Sequence, residues 1–133
     1  MTNIIRSLVA AATLATGLAI APAFAGGSVS LNYNPTNPEK VQALQTGLRL
    51  YGFAKGIKDG SITQNGFGNA AGLFQNGSHN LGIIHQNGDG HVGTIEQNGN
   101  GNACGLFQLG KNTEAHVQQN GDDQACATVQ FGW

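Results

Sequence analysis

Residues 64–99 read QNGFGNAAGLF-QNGSHNLGIIH-QNGDGHVGTIE-QNG, three units of 11 residues and the start of a fourth. The phase does not slip. Gln recurs at Gln64, Gln75, Gln86, Gln97, Gln108, Gln119 and Gln130, and two residues later a glycine follows at Gly66, Gly77, Gly88, Gly99, Gly110, Gly121 and Gly132. Five residues after each Gln stands a polar side chain: Asn69, Asn80, His91, Asn102, Thr113 or Gln124. Seven after it the residue is small (Ala71, Gly82, Gly93, Cys104, Ala115, Cys126), and nine after it β-branched or Leu (Leu73, Ile84, Ile95, Leu106, Val117, Thr128).

Inside a unit the period is two. Small, aliphatic and Gln at offsets 7, 9 and 11 lie on one face of an extended strand. The Gly- and Asn-rich stretch after each Gln supplies residues that tolerate positive φ, and so a turn. Strands are expected at 60–65, 70–76, 81–87, 92–98, 103–109, 114–120 and 125–131. A meander of hairpins uses the same pieces, but an identical inward pattern every 11 residues suits a coil better. The expected fold is all-β: a two-sheet parallel β-solenoid of cross-β type over 59–133, with 11-residue strand-turn units and 22-residue rungs. Each residue type then lies above itself in successive layers.

The Gln column follows from hydrogen bonding. A buried amide needs partners, and with layers about 4.8 Å apart each Gln can donate to the next layer and accept from the previous one, as in amide ladders of cross-β structure. The corner residues Asn69, Asn80 and Asn102 are expected to ladder in the same way. Cys104 and Cys126 share one offset, two units apart, and so should lie one layer apart on one sheet with Cα atoms about 4.8 Å apart. A disulfide fits that Cα spacing. Parallel Cβ vectors work against it, which leaves two small buried thiols as the other reading.

At these residues the chain resembles the curlin repeat family, the subunits of curli fibres. The family unit is similar to Ser/Asn-x5-Gln-x-Gly-x2-Asn-x-Ala-x3-Gln. Residues 64–75 match the Gln-x-Gly-x2-Asn-x-Ala-x3-Gln part in full, and 75–86 and 97–108 match with Gly82 or Cys104 in place of Ala. His91, Thr113 and Gln124 depart from its Asn, and the family's Ser positions are not clearly present. The resemblance implies a subunit of an extracellular amyloid fibre, acting in adhesion and biofilm matrix, with outer-membrane export and nucleation partners, as a major subunit or a nucleator.

The strand edges point to self-association independently. Natural sheets guard edges with charge, Pro or bulges. Residues 61–65 and 124–133 carry neither charge nor Pro. Glu96 and Glu114 are the charges within the expected strands; Asp89, Lys111, Asp122 and Asp123 fall in turns. An open rung is therefore expected at the C-terminal end. Phe74 and Phe107 point outward, as lateral contacts between fibrils or as isolated exposed residues.

Before the repeat the chain changes character. Arg6 precedes an uncharged run over 7–24 that ends in Ala23-Phe24-Ala25. This reads as a signal peptide over 1–25, leaving a secreted chain of 26–133 that reaches the cell surface via the periplasm. Removing Arg6 takes the formal charge from -1 to -2. No second apolar run of membrane-spanning length follows. In 26–58, Asn37 reads as an N-cap and Pro38 as the first helical residue. Val41, Leu44, Leu48 and Tyr51 make an apolar stripe, and Gly52 a stop, for a helix over about 38–51. That helix caps the first rung, serves export or chaperone recognition, or, from a loose resemblance of 41–53 to small peptidoglycan-binding modules, belongs to a cell-wall module over 38–75.

Composition narrows the function classes. Of 133 residues only 10% are charged, while Gly numbers 21, Asn 14 and Gln 11. A net charge of -1 gives no footprint for nucleic acid. The four histidines, His79, His85, His91 and His116, share no metal-ligand spacing with Cys or carboxylates. No nucleophile motif or phosphate loop appears. No enzyme, metal or cofactor is expected. The competing class is a soluble, monomeric β-solenoid that binds glycan or ice. Against an ice binder, the outward residues Gly72, Ile83, Thr94, Gly105, His116 and Ala127 are mixed rather than a Thr array.

Overall fold

The computed structural model describes residues 26–133; the signal-peptide reading of 1–25 lies outside the described residues. The elements run β1 (Ser28–Tyr33), α1 (Pro38–Lys55), β2 (Gly60–Asn65), β3 (Ala70–Asn76), β4 (Leu81–Asp89), β5 (Val92–Asn98), β6 (Ala103–Lys111), β7 (Glu114–Asn120) and β8 (Ala125–Gly132).

Strands β2 to β8 form a parallel β-solenoid. Even strands stack as β2-β4-β6-β8 and odd strands as β3-β5-β7. Pairing joins residues 22 apart: Gln64 to Gln86, Gln86 to Gln108, Gln108 to Gln130, Gln75 to Gln97 and Gln97 to Gln119. Two units per rung and equal residue types in each column are therefore the observed architecture. β4 and β6 run two residues beyond the expected ends, to Asp89 and Lys111, because pairing continues from Gly88 to Gly110 and from Asp89 to Lys111.

The turn glycines do two things. Gly88 has a φ of 128°, which L side chains rarely adopt. A Cβ there would also run into the Gly110 carbonyl oxygen one layer on. Gly66, Gly77, Gly99, Gly110 and Gly121 share the positive φ. Gly132 does not turn the chain: it ends β8 and pairs with Ser28.

Among the described residues two apolar clusters form the core. Ile84, Ile95, Leu106, Cys104 and Cys126 fill the space between the sheets, with Leu73 and Val117 packed against them. The second cluster lies on the outer face of the larger sheet, where Leu48 of α1 meets Leu81, Ile83 and Ala103 beside Phe107.

The N-terminal segment departs from expectation in three ways. First, α1 passes Gly52 by a turn and ends at Gly56, φ 72°. Gly56 N–H donates to Phe53 O at 3.1 Å and Ile57 N–H to Gly52 O at 2.7 Å, the Schellman pattern. Gly52 is instead a buried residue inside the last turns of the helix, facing Leu81. Second, α1 does not cap the first rung. It packs across β4, β6 and β8, where Gly105 leaves room for Leu48. Burying Leu48 contributes roughly 1.5–3 kcal/mol. Gln45 Nε2 donates to Gly101 O at 3.1 Å and Gln124 O at 3.3 Å, and Arg49 Nη2 donates to His79 O at 3.0 Å, tying the helix to carbonyls of three turns. Phe107 accordingly lies beneath α1, edge-on to Tyr51 at 6.2 Å between ring centroids, and is no lateral contact; Phe74 stays exposed.

Third, residues 28–33 form a strand. β1 pairs antiparallel with β8, Ser28 opposite Gly132 through Tyr33 opposite Ala127. It closes the larger sheet at its C-terminal edge, so the expected open rung is open on one sheet only. Ser28-Val29-Ser30-Leu31-Asn32-Tyr33 alternates polar and apolar residues as an edge strand does.

Candidate functional site

The candidate site is the pair of amide ladders and the edges where they stop. In the larger sheet Gln64 Nε2 donates to Gln86 Oε1 at 2.8 Å, Gln86 to Gln108 at 2.8 Å and Gln108 to Gln130 at 2.9 Å. In the smaller sheet Gln75 donates to Gln97 at 2.9 Å and Gln97 to Gln119 at 2.8 Å. The direction is uniform, from N-terminal to C-terminal layer. Five of these amides also donate to a carbonyl 16 residues earlier: Gln75 to Asp59, Gln86 to Ala70, Gln97 to Leu81, Gln108 to Val92 and Gln130 to Glu114. Four of these bonds cross from one sheet to the other, and the fifth runs from Gln75 to the residue just before β2. The ladder thus stitches the sheets together as well as the layers, and Gln86, Gln97 and Gln108 are fully buried.

The corners work differently from the amide-to-amide stacking expected. Asn80 Oδ1 accepts from the backbone N–H of Asn102 at 3.0 Å, and its Nδ2 donates to Gly99 O at 2.9 Å. Asn102 repeats this with Gln124 N–H and Gly121 O, and Asn69 with His91 N–H and Gly88 O. A short Asn side chain bridges the backbone of the next layer, where main-chain groups leaving the strand lack ladder partners. His91 fills this position without exposure: its Nδ1 lies 2.8 Å from Thr113 Oγ1. In the turns, Asp89 Oδ1 accepts from Phe67 N–H at 2.8 Å and Asp122 Oδ1 from Asn100 N–H at 2.7 Å. These carboxylates cap turn amides.

Cys104 and Cys126 are paired across β6 and β8, Cα atoms 4.6 Å apart, and are bonded as a disulfide. Of the two readings open from the sequence, the bond is the one observed. It links the last two layers of the larger sheet from inside the core.

The ladders end unequally. Gln130 Nε2, at the last layer of the larger sheet, reaches Ser30 Oγ of β1 at 3.4 Å. Gln119, at the last layer of the smaller sheet, has a buried Nε2 with no hydrogen-bond partner among the described residues. Beyond it is a groove of about 430 Å³ lined by Glu114 and Val117 of β7, Thr128 and Gln130 of β8, and Ser30 and Tyr33 of β1. At the opposite end β2 and β3 are both sheet edges, and Ile62 is 42% exposed although its column partner Ile84 is fully buried. Sequence reasoning missed Ser30, Tyr33 and the groove; the polar-apolar alternation in 28–33 marks a strand there but not its partner.

Among the described residues no group of three or more His, Cys, Asp or Glu is placed to hold a metal ion, and no helix is long and apolar enough to cross a membrane. The outer face of the smaller sheet carries Thr94, Glu96, His116 and Gln118; His116 sits 2.7 Å from Thr94 Oγ1 and 3.0 Å from Glu114 Oε1. No family model matches this chain, and no curated protein or solved structure matches it either.

Proposed function

We propose that this chain is a secreted structural subunit that polymerises into extracellular, curli-like amyloid fibres serving adhesion and biofilm matrix. The observation that carries the reading is the pair of one-way Gln ladders, one of which stops at the buried, unpartnered amide of Gln119. Such an end binds whatever continues the ladder, and the other end of the same chain offers matching Gln64 and Gln75 on unguarded edges. The resemblance of 64–75 to the curlin unit supports the same reading, and with it the signal peptide, the export and nucleation partners, and a choice of major subunit or nucleator. No catalytic role, metal or cofactor belongs to it.

The test is assembly of purified 26–133 at micromolar concentration. Fibres with amyloid-dye fluorescence and a cross-β reflection at about 4.8 Å are the expected outcome. A second reading, a soluble monomeric solenoid that binds glycan or ice, is favoured by one observation: β1 covers the β8 edge. A chain that stays monomeric through repeated seeding would select that reading.

A further inference from the structure

The coil divides its seven strands four to the larger sheet and three to the smaller, so at the C-terminal end β8 stands one layer beyond β7. A second copy cannot stack on this end in the same orientation. With its β3 seated on β7, its β2 would fall in the layer that β8 already occupies. Turned by half a turn about the stacking axis, the second copy fits. All units are equivalent in phase, so its β2 can sit in the smaller sheet on β7 and its β3 in the larger sheet beyond β8.

We propose, resting on the fibre reading above, that the groove beside β7 is the docking site for β2 of a second copy turned by half a turn, and that β1 is a placeholder for that copy's β3. Three observations converge on this. The buried Nε2 of Gln119 has no partner among the described residues, and in this register it meets Oε1 of the incoming Gln64. The groove of about 430 Å³ lies in the layer that β7 lacks, over the inward residues Thr128 and Gln130. Ile62, exposed at the first layer, becomes the incoming inward residue above Val117, and its burial drives the contact. One neighbour opposes it: the incoming Asp59 lies by Glu114, with Lys58 alongside.

β1 has the properties of a placeholder. It runs antiparallel on a parallel sheet and is mostly exposed. It gives Gln130 only the Ser30 hydroxyl at 3.4 Å, where ladder amides elsewhere meet at 2.8–2.9 Å. The incoming Gln75 restores that shorter contact. Helices α1 of successive copies then fall on opposite faces of the fibre and do not meet.

Site-directed cross-linking tests the register. Gln118 and Thr63 are exposed outward residues on β7 and β2, at opposite ends of one chain. Separate Gln118→Cys and Thr63→Cys chains are co-assembled, treated with a short thiol-to-thiol cross-linker and examined for covalent dimers. The half-turn stack gives the 118–63 dimer and no dimer from Gln118→Cys with Phe74→Cys, the pair that the unturned stack brings together. Alongside, Leu31→Pro is expected to loosen β1 and shorten the lag of fibre growth by roughly fivefold to tenfold, the effect of losing an edge-ladder bond. Fibres that yield the 118–74 dimer or neither dimer, or that grow at an unchanged lag with Leu31→Pro, overturn this inference and leave the fibre reading standing. An unmodified chain that forms no fibres overturns both.

Discussion

Gln97→Ala removes the centre of the smaller ladder. In the folded chain Gln97 is fully buried, accepts from Gln75 Nε2 at 2.9 Å, and donates to Gln119 Oε1 at 2.8 Å and to Leu81 O at 3.1 Å. Truncation leaves Gln119 without a donor on its oxygen, when its nitrogen is already unpartnered. Gln75 keeps Asp59 O at 2.9 Å, and Leu81 O loses its side-chain donor. At 1–3 kcal/mol for each buried group left unpaired, with Gln119 bearing most of the loss, the cost is about 3 kcal/mol. For the folded residues 26–133 this lowers Tm by roughly 12 °C. Glu96→Ala on the same strand is the comparison. Its carboxylate is exposed and accepts from Asn98 Nδ2 at 3.0 Å, so its removal changes stability by less than about 0.5 kcal/mol. Gln97→Met keeps the volume while removing the amide, and is expected to cost nearly as much as Ala. The assay is thermal unfolding of the monomer followed by circular dichroism, with fibre-growth rate as a second readout. Equal Tm values for Gln97→Ala and Glu96→Ala would refute the buried ladder, and full recovery with Gln97→Met would assign the loss to a cavity.

Other perturbations separate the remaining contributions. Thr128→Lys, on an inward position 6% exposed, is expected to abolish folding or fibre yield, while Val129→Lys, half-buried on the outer face, is tolerated better; the reverse ranking would shift the strand register by one. The double change Cys104→Ala with Cys126→Ala opens a cross-link spanning 22 residues and should lower stability by about 3 kcal/mol in denaturant titration; a change under about 1 kcal/mol would argue against the bond. Gly88→Ala places a methyl against the Gly110 carbonyl at a positive φ and should cost more than about 3 kcal/mol, read as loss of cooperative unfolding. Gly105→Ala crowds Leu48 and Phe107, so it should free α1, with faster proteolysis at Arg49 and Lys55 and intact strand signal; protection at both sites would refute the docking.

The outward faces show where periodic reading stopped short. Taken as one series, Gly72, Ile83, Thr94, Gly105, His116 and Ala127 look mixed. Sorted by sheet, Ile83, Gly105 and Ala127 fall on the larger sheet with Phe107, and Thr94 and His116 on the smaller. The first set lies under α1 and the second faces solvent. The information was in the repeat once alternate units were separated. The corner residues are another case. Position alone placed Asn69, Asn80 and Asn102 in columns, but whether an Asn reaches the next Asn or the next backbone depends on side-chain length against layer spacing.

The strand positions, the 22-residue rung and the inward Gln, aliphatic and small columns were determined by the sequence alone. They rest on local rules, alternation of faces and glycine at turns, and seven phased copies of one unit make those rules unambiguous. The tertiary structure decided what the non-repeating segment does. Nothing local in Ser28-Val29-Ser30-Leu31-Asn32-Tyr33 says that it pairs with β8 rather than β2, β3 or β7. Nothing local in α1 says that it lies across β4, β6 and β8. Those choices depend on contacts between residues far apart in the chain, such as Ser30 with Gln130 and Leu48 with Leu81, and on which face has an apolar surface left to cover. The Cys104–Cys126 bond belongs with them. Its layer spacing is periodic, but closure depends on how two side chains turn toward each other inside the packed core.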